Sequence, residues 1–426
     1  MRLAMRFTKQ TFVTAFALFS LFFGAGNLIL PPYLGYNAGS SWIWVLIGFI
    51  ISAVVIPILA IYGHAKLQGT MMDFARKVSP VFALIYCIIV YAISVSLPSP
   101  RTASVTYEMA IKPYIQLPSW GLSSIYFALV LLFVINRSKI LDVIGKFLTP
   151  GIIITLSLIV GIGLFGDFEP ACASIFDHTF TSGILEGYQT FDAIGGVVVG
   201  GVIVISLGLK GGDFTSNKRV IINAGILAGI GLLIIYGGLI ALGAMHSGEL
   251  VIENRTALLN QLSLDALGNI GTVFLAVLVA LACFTTAVGI VAGTADFAKG
   301  ILGNSQQAYV LTAVIASILG VFMGQLDVHS IIVVAIPALM FIYPITIVLI
   351  LLNALPDRLA SKNVFRATIL VTILGSLPDF IASIGFEKMV QPVLEFMPLG
   401  TIGMGWLLPA VTVWIVMQLL SNNKQA

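Results

Sequence analysis

Charge is scarce in this chain: aspartate, glutamate, lysine and arginine together make up 9% of its 426 residues, against roughly 25% in an ordinary soluble domain. Hydrophobic residues make up 59%, and apolar runs of about 20 residues recur from end to end, which marks a polytopic membrane protein rather than a string of soluble domains. Cysteine is also rare. Cys87, Cys172 and Cys283 are far apart in sequence and read as small buried hydrophobes rather than a disulfide or a metal set. His64, His178, His246 and His329 are scattered at span ends or loops with no second ligand at helical spacing, which argues against a metal centre. No Gly-x-x-x-x-Gly-Lys-Ser/Thr run is present, which argues against an ATP-driven pump in this chain, and no His, Asp, Glu or Ser cluster stands at catalytic spacing. The expectation is therefore a non-enzyme with no organic cofactor, no nucleic-acid partner and no obligate protein partner, embedded in membrane lipid. The N-terminus lacks the short apolar core and small-residue cleavage site of a signal peptide, so the first apolar segment is expected to stay in the protein.

Glycine, proline and polar punctuation divides the chain into twelve candidate spans, at about 10–36, 42–64, 78–111, 120–136, 144–166, 183–209, 219–245, 268–298, 306–324, 329–353, 365–385 and 401–420. An even count puts both termini on one side. Of the 21 lysines and arginines, 17 fall at the N-terminal side, among them Arg2, Arg6, Arg137, Lys139, Lys210 and Lys424, while Arg101, Lys112, Arg255 and Lys388 do not. By the positive-inside rule this asymmetry makes both termini cytoplasmic, and it explains the basic groups as topology signals.

The first span, Phe19 to Gly35, contains Gly24-Ala25-Gly26-Asn27, a poor helix at membrane depth. Irregular backbone survives there only where it lines a cavity or meets a ligand, because an unpaired amide or carbonyl in hydrocarbon costs several kcal/mol. A second interruption, Gly183 to Gly196, carries Glu186, Gln189, Thr190 and Asp192 inside span six, five spans later. Paired broken spans in corresponding positions point to an inverted-repeat transporter with its site at the bilayer midplane. The expected organisation is one integral domain, 1–426, with repeats at about 10–166 and 183–353 and two added helices at about 365–420. Helix packing is the competing reading for these glycines, since small residues let membrane helices approach closely. If the first span is unwound, its amides suit a carboxylate and its carbonyls a small cation.

Four segments carry a resemblance over essentially the whole chain: Phe19 to Gly35; Pro100-Arg101-Thr102-Ala103-Ser104-Val105-Thr106-Tyr107-Glu108; Gly187-Tyr188-Gln189-Thr190-Phe191-Asp192-Ala193; and Thr285-Thr286-Ala287-Val288-Gly289. In these the chain resembles the bacterial branched-chain amino acid carrier family, sodium-coupled importers of leucine, isoleucine and valine. The resemblance implies an all-α fold of about twelve transmembrane helices similar to LeuT, a five-plus-five inverted repeat with helices 1 and 6 broken. It also implies a sodium ion between spans one and eight, held by Thr285 and Thr286 with carbonyls near Ser20, Phe23 and Ala282; oxygen-only ligands suit a hard cation. The substrate carboxylate would meet the amides of Ala25 and Gly26 beside Gly24, and its ammonium would meet groups near Tyr188, Gln189, Thr190 and Asp192. A second sodium would use Asn27 and Thr190. Ser99-Pro100 before Arg101, where an apolar residue is expected, and Gly195-Gly196, where alanines are expected, depart from the family pattern and leave the preferred side chain open.

Arg101 lies inside span three, where an arginine at the bilayer centre costs about 3 kcal/mol on insertion scales, so it should face protein and have a partner. Glu108, seven residues on, and Asp192, across the site, are the expected partners, as a structural or a gating ion pair. Thr285 and Thr286 have an alternative in bonding back to a carbonyl one turn earlier. Glu186, Asp327, Asp379 and Glu387 fall near outer span ends, where solvated acids are ordinary. The function these readings imply is sodium-coupled import of branched-chain amino acids across a bacterial inner membrane by alternating access. The alternative is a proton-coupled permease of the same fold, with Asp192 as the titrating group.

Overall fold

The fold is that of a computed structural model, which describes residues 8–136, 140–165, 171–208, 214–248, 252 and 254–422. Of the basic residues behind the orientation argument, Arg2, Arg6, Arg137, Lys139, Lys210 and Lys424 lie outside them. The described chain is helical: α1 (Lys9–Phe22), α2 (Ala25–Ala38), α3 (Trp42–Ile50), α4 (Ile56–Leu67), α5 (Met71–Arg76), α6 (Pro80–Ser96), α7 (Pro98–Thr106), α8 (Ser119–Asn136), α9 (Ile140–Gly163), α10 (Thr179–Tyr188), α11 (Asp192–Gly208), α12 (Phe214–Met245), α13 (Arg255–Ile301), α14 (Gln306–Gly324), α15 (Val328–Ala354), α16 (Lys362–Ile381), α17 (Glu387–Phe396) and α18 (Leu407–Asn422). Among the described residues eight helices are long and apolar enough to cross a membrane, or nine if the bent pair α10 and α11 forms one span. Each of the twelve sequence spans falls on a helix or a helix pair, with α1 and α2 sharing the first.

The breaks follow from local chemistry. Thr8 caps α1 by accepting from the Thr11 amide at 3.2 Å, and α1 stops at Phe22. At 14 residues it is about 21 Å long and cannot span hydrocarbon alone. The unwound stretch is shorter than expected: only Phe23 and Gly24 are non-helical, and Ala25, Gly26 and Asn27 form the first turn of α2. The reason is that the Asn27 side chain accepts from the Gly24 amide at 3.2 Å and restarts the helix. In span six the axis bends by 42° across Gln189, Thr190 and Phe191, where the amides bond three residues back instead of four. Phe191 has φ of 62°, the left-handed region that a bulky side chain adopts only under tertiary constraint. Span three is interrupted as well: Leu97 is non-helical between α6 and α7, with Pro98 and Pro100 following. Gly268, at φ 66°, breaks α13 near its start.

Both halves of span one lie against α12, whereas the halves of span six part, α10 packing on α3 and α11 on α4. The contact of α2 with α12 depends on glycine: a Cβ on Gly35 would collide with the Ile240 carbonyl, and one on Gly243 with the Pro32 carbonyl. Backbone-to-backbone approach of this kind is how helices associate where lipid is as apolar as the side chains. The unexpected Gly196 has the same role, since its Cβ would meet the Ala60 Cβ and the Pro57 carbonyl at 3.0 Å, whereas Gly195 faces open space. Outward, α6, α8, α14 and α16 expose Val81, Ile125, Leu311 and Leu370, each more than half exposed, which is the surface of a protein solvated by lipid tails.

Gly35 and Gly161 make a matched test, because nothing lies within 4 Å of a Cβ built on Gly161. Gly35→Ala is expected to destabilise the purified protein by about 1–3 kcal/mol through overpacking, and Gly161→Ala to leave it unchanged. Thermal unfolding in detergent reads both, and equal midpoints would contradict the packing described.

Candidate functional site

The two breaks meet inside the bundle. Asn27, at the third position of α2, donates through Nδ2 to Asp192 Oδ2 at 2.7 Å, and Asp192 begins α11. Tyr236 of α12 donates its hydroxyl to the same Oδ2 at 3.2 Å and accepts from Asn27 Nδ2. All three side chains are buried. The Asp192 amide bonds the Thr190 hydroxyl at 3.2 Å, while that hydroxyl donates to the Gly187 carbonyl at 2.8 Å. A buried carboxylate with two neutral donors is satisfied without a cation. Tyr236 is a contributor that sequence reasoning missed, and a tyrosine inside the apolar run that follows Asn223 in α12 was the available signal.

Arg101, 3% exposed, takes neither expected partner. Its Nη1 donates to the Gln189 carbonyl at 2.7 Å, and its guanidinium lies over the Phe191 ring, 5.2 Å from the centroid. A Cβ on Gly26 would collide with its Nη2, so the guanidinium sits against the first turn of α2, joining the two breaks. Its Nε and the neighbouring Gln189 Oε1 are buried without partners. Glu108 goes elsewhere: it accepts from the Thr256 hydroxyl at 2.5 Å and from the Val328 amide at 2.9 Å. The reason is distance along the axis: seven residues on, Glu108 stands two helical turns, about 10 Å of rise, from Arg101 and cannot reach it.

The first turn of α2 is rich in unused backbone groups. Among the described residues no backbone carbonyl accepts from the Ala25 and Gly26 amides, which belong to the first turn of a helix and have no intrahelical acceptor. Pro31 and Pro32 lie inside α2, and having no N–H they release the Asn27 and Leu28 carbonyls. Before the break, the Gly24 amide bonds the Phe22 carbonyl at 3.0 Å, which leaves the Ser20 carbonyl without its usual donor four residues on.

Four of the five groups expected at sodium are brought together. Ser20, Phe23, Ala282 and Thr285 line one cavity with Phe19 and with Leu148, Thr149 and Ile152 of α9. Its volume of about 10 Å³ is near the least that holds one water. Thr285 donates to the Ala282 carbonyl at 3.0 Å, the back-bonding alternative, yet a donating hydroxyl keeps its acceptor lone pairs. Thr286 lies instead beside Gly24: a Cβ there would sit 3.7 Å from its methyl group. Tyr188 stacks on Tyr343 of α15 at 4.4 Å, and the Tyr343 hydroxyl accepts from the Ala193 amide at 3.3 Å, just after the second break. Two of the acids read as solvated are not: Glu186 pairs with Arg255 at 2.8 Å, and Asp379 is 7% exposed.

Comparison with known proteins places the chain in context. The family described as "Branched-chain amino acid transport protein" matches residues 7–424. Similar relatives are the branched-chain amino acid permeases BrnQ of Bacillus subtilis, 32% identical over 95% of both chains, and BraB of the same organism, 31% identical over 98% of this chain and 97% of its own. Among solved structures, a Na+-coupled sialic acid symporter in a substrate-bound outward-open state aligns with a TM-score of 0.60 at 13% identity over 96% of this chain and 90% of its own. MhsT in complex with L-phenylalanine aligns at 0.53 and 16% over 97% and 98%. These likenesses show a LeuT-type fold.

Double-mutant cycles test the two pairings. Asn27→Ala with Asp192→Ala is expected to be non-additive in unfolding free energy by about 0.5–3 kcal/mol, and Arg101→Gln with Glu108→Gln additive within about 0.5 kcal/mol. The reverse pattern would overturn the assignment of partners.

Proposed function

This chain belongs to the family of branched-chain amino acid transport proteins, and on that premise we propose that it imports leucine, isoleucine or valine with sodium by alternating access. The membrane is then a bacterial cytoplasmic membrane with both termini inside, and about 10–166 and 183–353 are the inverted repeats. The observation that carries the reading is the cavity beside the first break, walled by Ser20, Phe23, Ala282 and Thr285. Hydroxyl and carbonyl oxygens there match a small hard cation. Thr286, next to Gly24, completes that wall when the ion enters.

The substrate carboxylate is assigned to the Ala25 and Gly26 amides, at the positive end of α2. Arg101 lies against the same turn, and a buried guanidinium with no carboxylate partner gains most from an incoming anion. The ammonium is assigned to the side of the site formed by Gln189, Thr190 and Asp192, where Gln189 Oε1 has no partner, with Gly24, Asn27 and Tyr188 completing the surround. Arg101 then acts as a gate held on the Gln189 carbonyl until substrate arrives. A proton-coupled mechanism is the second reading, favoured by a buried Asp192 that has only neutral hydrogen-bond donors.

Leucine uptake into proteoliposomes at fixed pH separates the two. Replacing sodium with choline is expected to abolish uptake, and undiminished uptake would sink sodium coupling. Thr285→Val and Thr286→Val are expected to raise the sodium concentration for half-maximal uptake by about ten-fold, the effect of about 1.4 kcal/mol of lost coordination. Arg101→Gln is expected to narrow the preference for leucine over leucinol, which lacks the carboxylate. An unchanged ratio would remove Arg101 from substrate recognition.

A further inference from the structure

A second cavity, of about 540 Å³, opens at the end of the molecule where span one finishes; its lining includes Leu185, one turn before the second break, but none of the residues that form the two breaks. Its size falls within the roughly 300–1,000 Å³ of small-molecule sites. One wall is α10, through Thr181, Ser182 and Leu185; the other is built from α15, α16, α17 and the turn at Gly400–Ile402. Leu185, Met340, Leu394 and Ile402 make the walls apolar, and Asp177, Asp379 and Glu387 give it three carboxylates. The lining includes His178 but no lysine or arginine.

Asp379 is the second, independent observation. It is 7% exposed, and its Oδ2 is buried with no hydrogen-bond partner. An acceptor left unmade in this way costs about 1–3 kcal/mol, more when it is ionised, and nothing in the central site uses it. The occupant this environment fits carries positive charge. Among the described residues no three ligand-type side chains converge as a metal ion would need, so the charge suits an extended molecule. An amino acid is a poorer match, because its carboxylate would face acids with no cation to receive it.

We propose that this cavity binds an organic ammonium with an aliphatic or aromatic body, its nitrogen on Asp379 and its body against Leu185, Met340 and Ile402. Such a ligand joins α10, the first half of the broken sixth span, to α16. It therefore favours whichever state of the carrier keeps these helices at their present separation.

Phenethylamine is the probe, with 2-phenylethanol as its uncharged counterpart, titrated into the full-length protein in nanodiscs by calorimetry. The amine is expected to bind at least about ten-fold more tightly than the alcohol, and Asp379→Asn to weaken the amine about ten-fold or more. Ile402→Trp, which fills the cavity without touching a charge, is expected to abolish binding and serves if Asp379→Asn does not fold. Saturating leucine is expected to leave the amine bound. Absence of amine binding at millimolar concentration, equal binding of the alcohol, unchanged affinity in either folded variant, or displacement by leucine would overturn the proposal.

Discussion

The hydrogen bond from Asn27 to Asp192 joins the first turns of two helices, α2 and α11, that begin at the breaks of spans one and six. In hydrocarbon the backbone at both breaks must find partners, and these two side chains, with Tyr236, tie the ends together at one depth. Asn27 also accepts from the Gly24 amide, so a single amide side chain both restarts α2 and holds it on α11. The Arg101 bridge from Gly26 to Gln189 crosses the same gap. What surrounds the breaks is arranged to support this join: α12 presents Tyr236 to it, and the glycine contacts at Gly35 and Gly243 bring α12 close enough to α2 to do so.

Charge is distributed with the same economy. The buried arginine has a carbonyl and an aromatic face instead of a carboxylate, and the buried aspartate has neutral donors instead of a cation. On the proposed reading each is left able to meet a zwitterion, since neither charge is consumed by the other. A direct Arg101–Asp192 pair would satisfy both at lower cost and leave less for a substrate to add. The end of the bundle where span one finishes is tied by other charges: Glu186 to Arg255, whose guanidinium lies 4.9 Å from the Tyr33 ring, and Glu108 to Thr256.

The broken spans were legible in the chain because glycine, proline and polar residues are conspicuous in an apolar background. Gly24 and Pro31-Pro32 disturb a helix by their own chemistry, whatever surrounds them, whereas the bend at Gln189–Phe191 needs tertiary constraint. The extent of the first break was less legible. It depends on Asn27 turning back onto Gly24, a rotamer choice that the Asp192 contact holds. The partner of Glu108 was missed because residues seven apart share a helix face yet stand two turns apart along the axis, and its actual partners, Thr256 and Val328, come from other helices.

Composition and punctuation alone therefore determined that the chain is a helical membrane protein and that its first and sixth spans are interrupted, while the breaks at Leu97 in span three and at Gly268 in α13 went unread. Those properties come from local rules: the length needed to cross hydrocarbon, and the residues that cannot continue a helix. Only the tertiary structure decided that Arg101 takes Gln189 and Phe191, that Glu108 takes Thr256 and Val328, that Tyr236 joins the site, and that Asp379 is buried beside a cavity. Side chains hundreds of residues apart meet through the packing of whole helices, and the rotation of each helix about its axis is set by its neighbours rather than by its own residues.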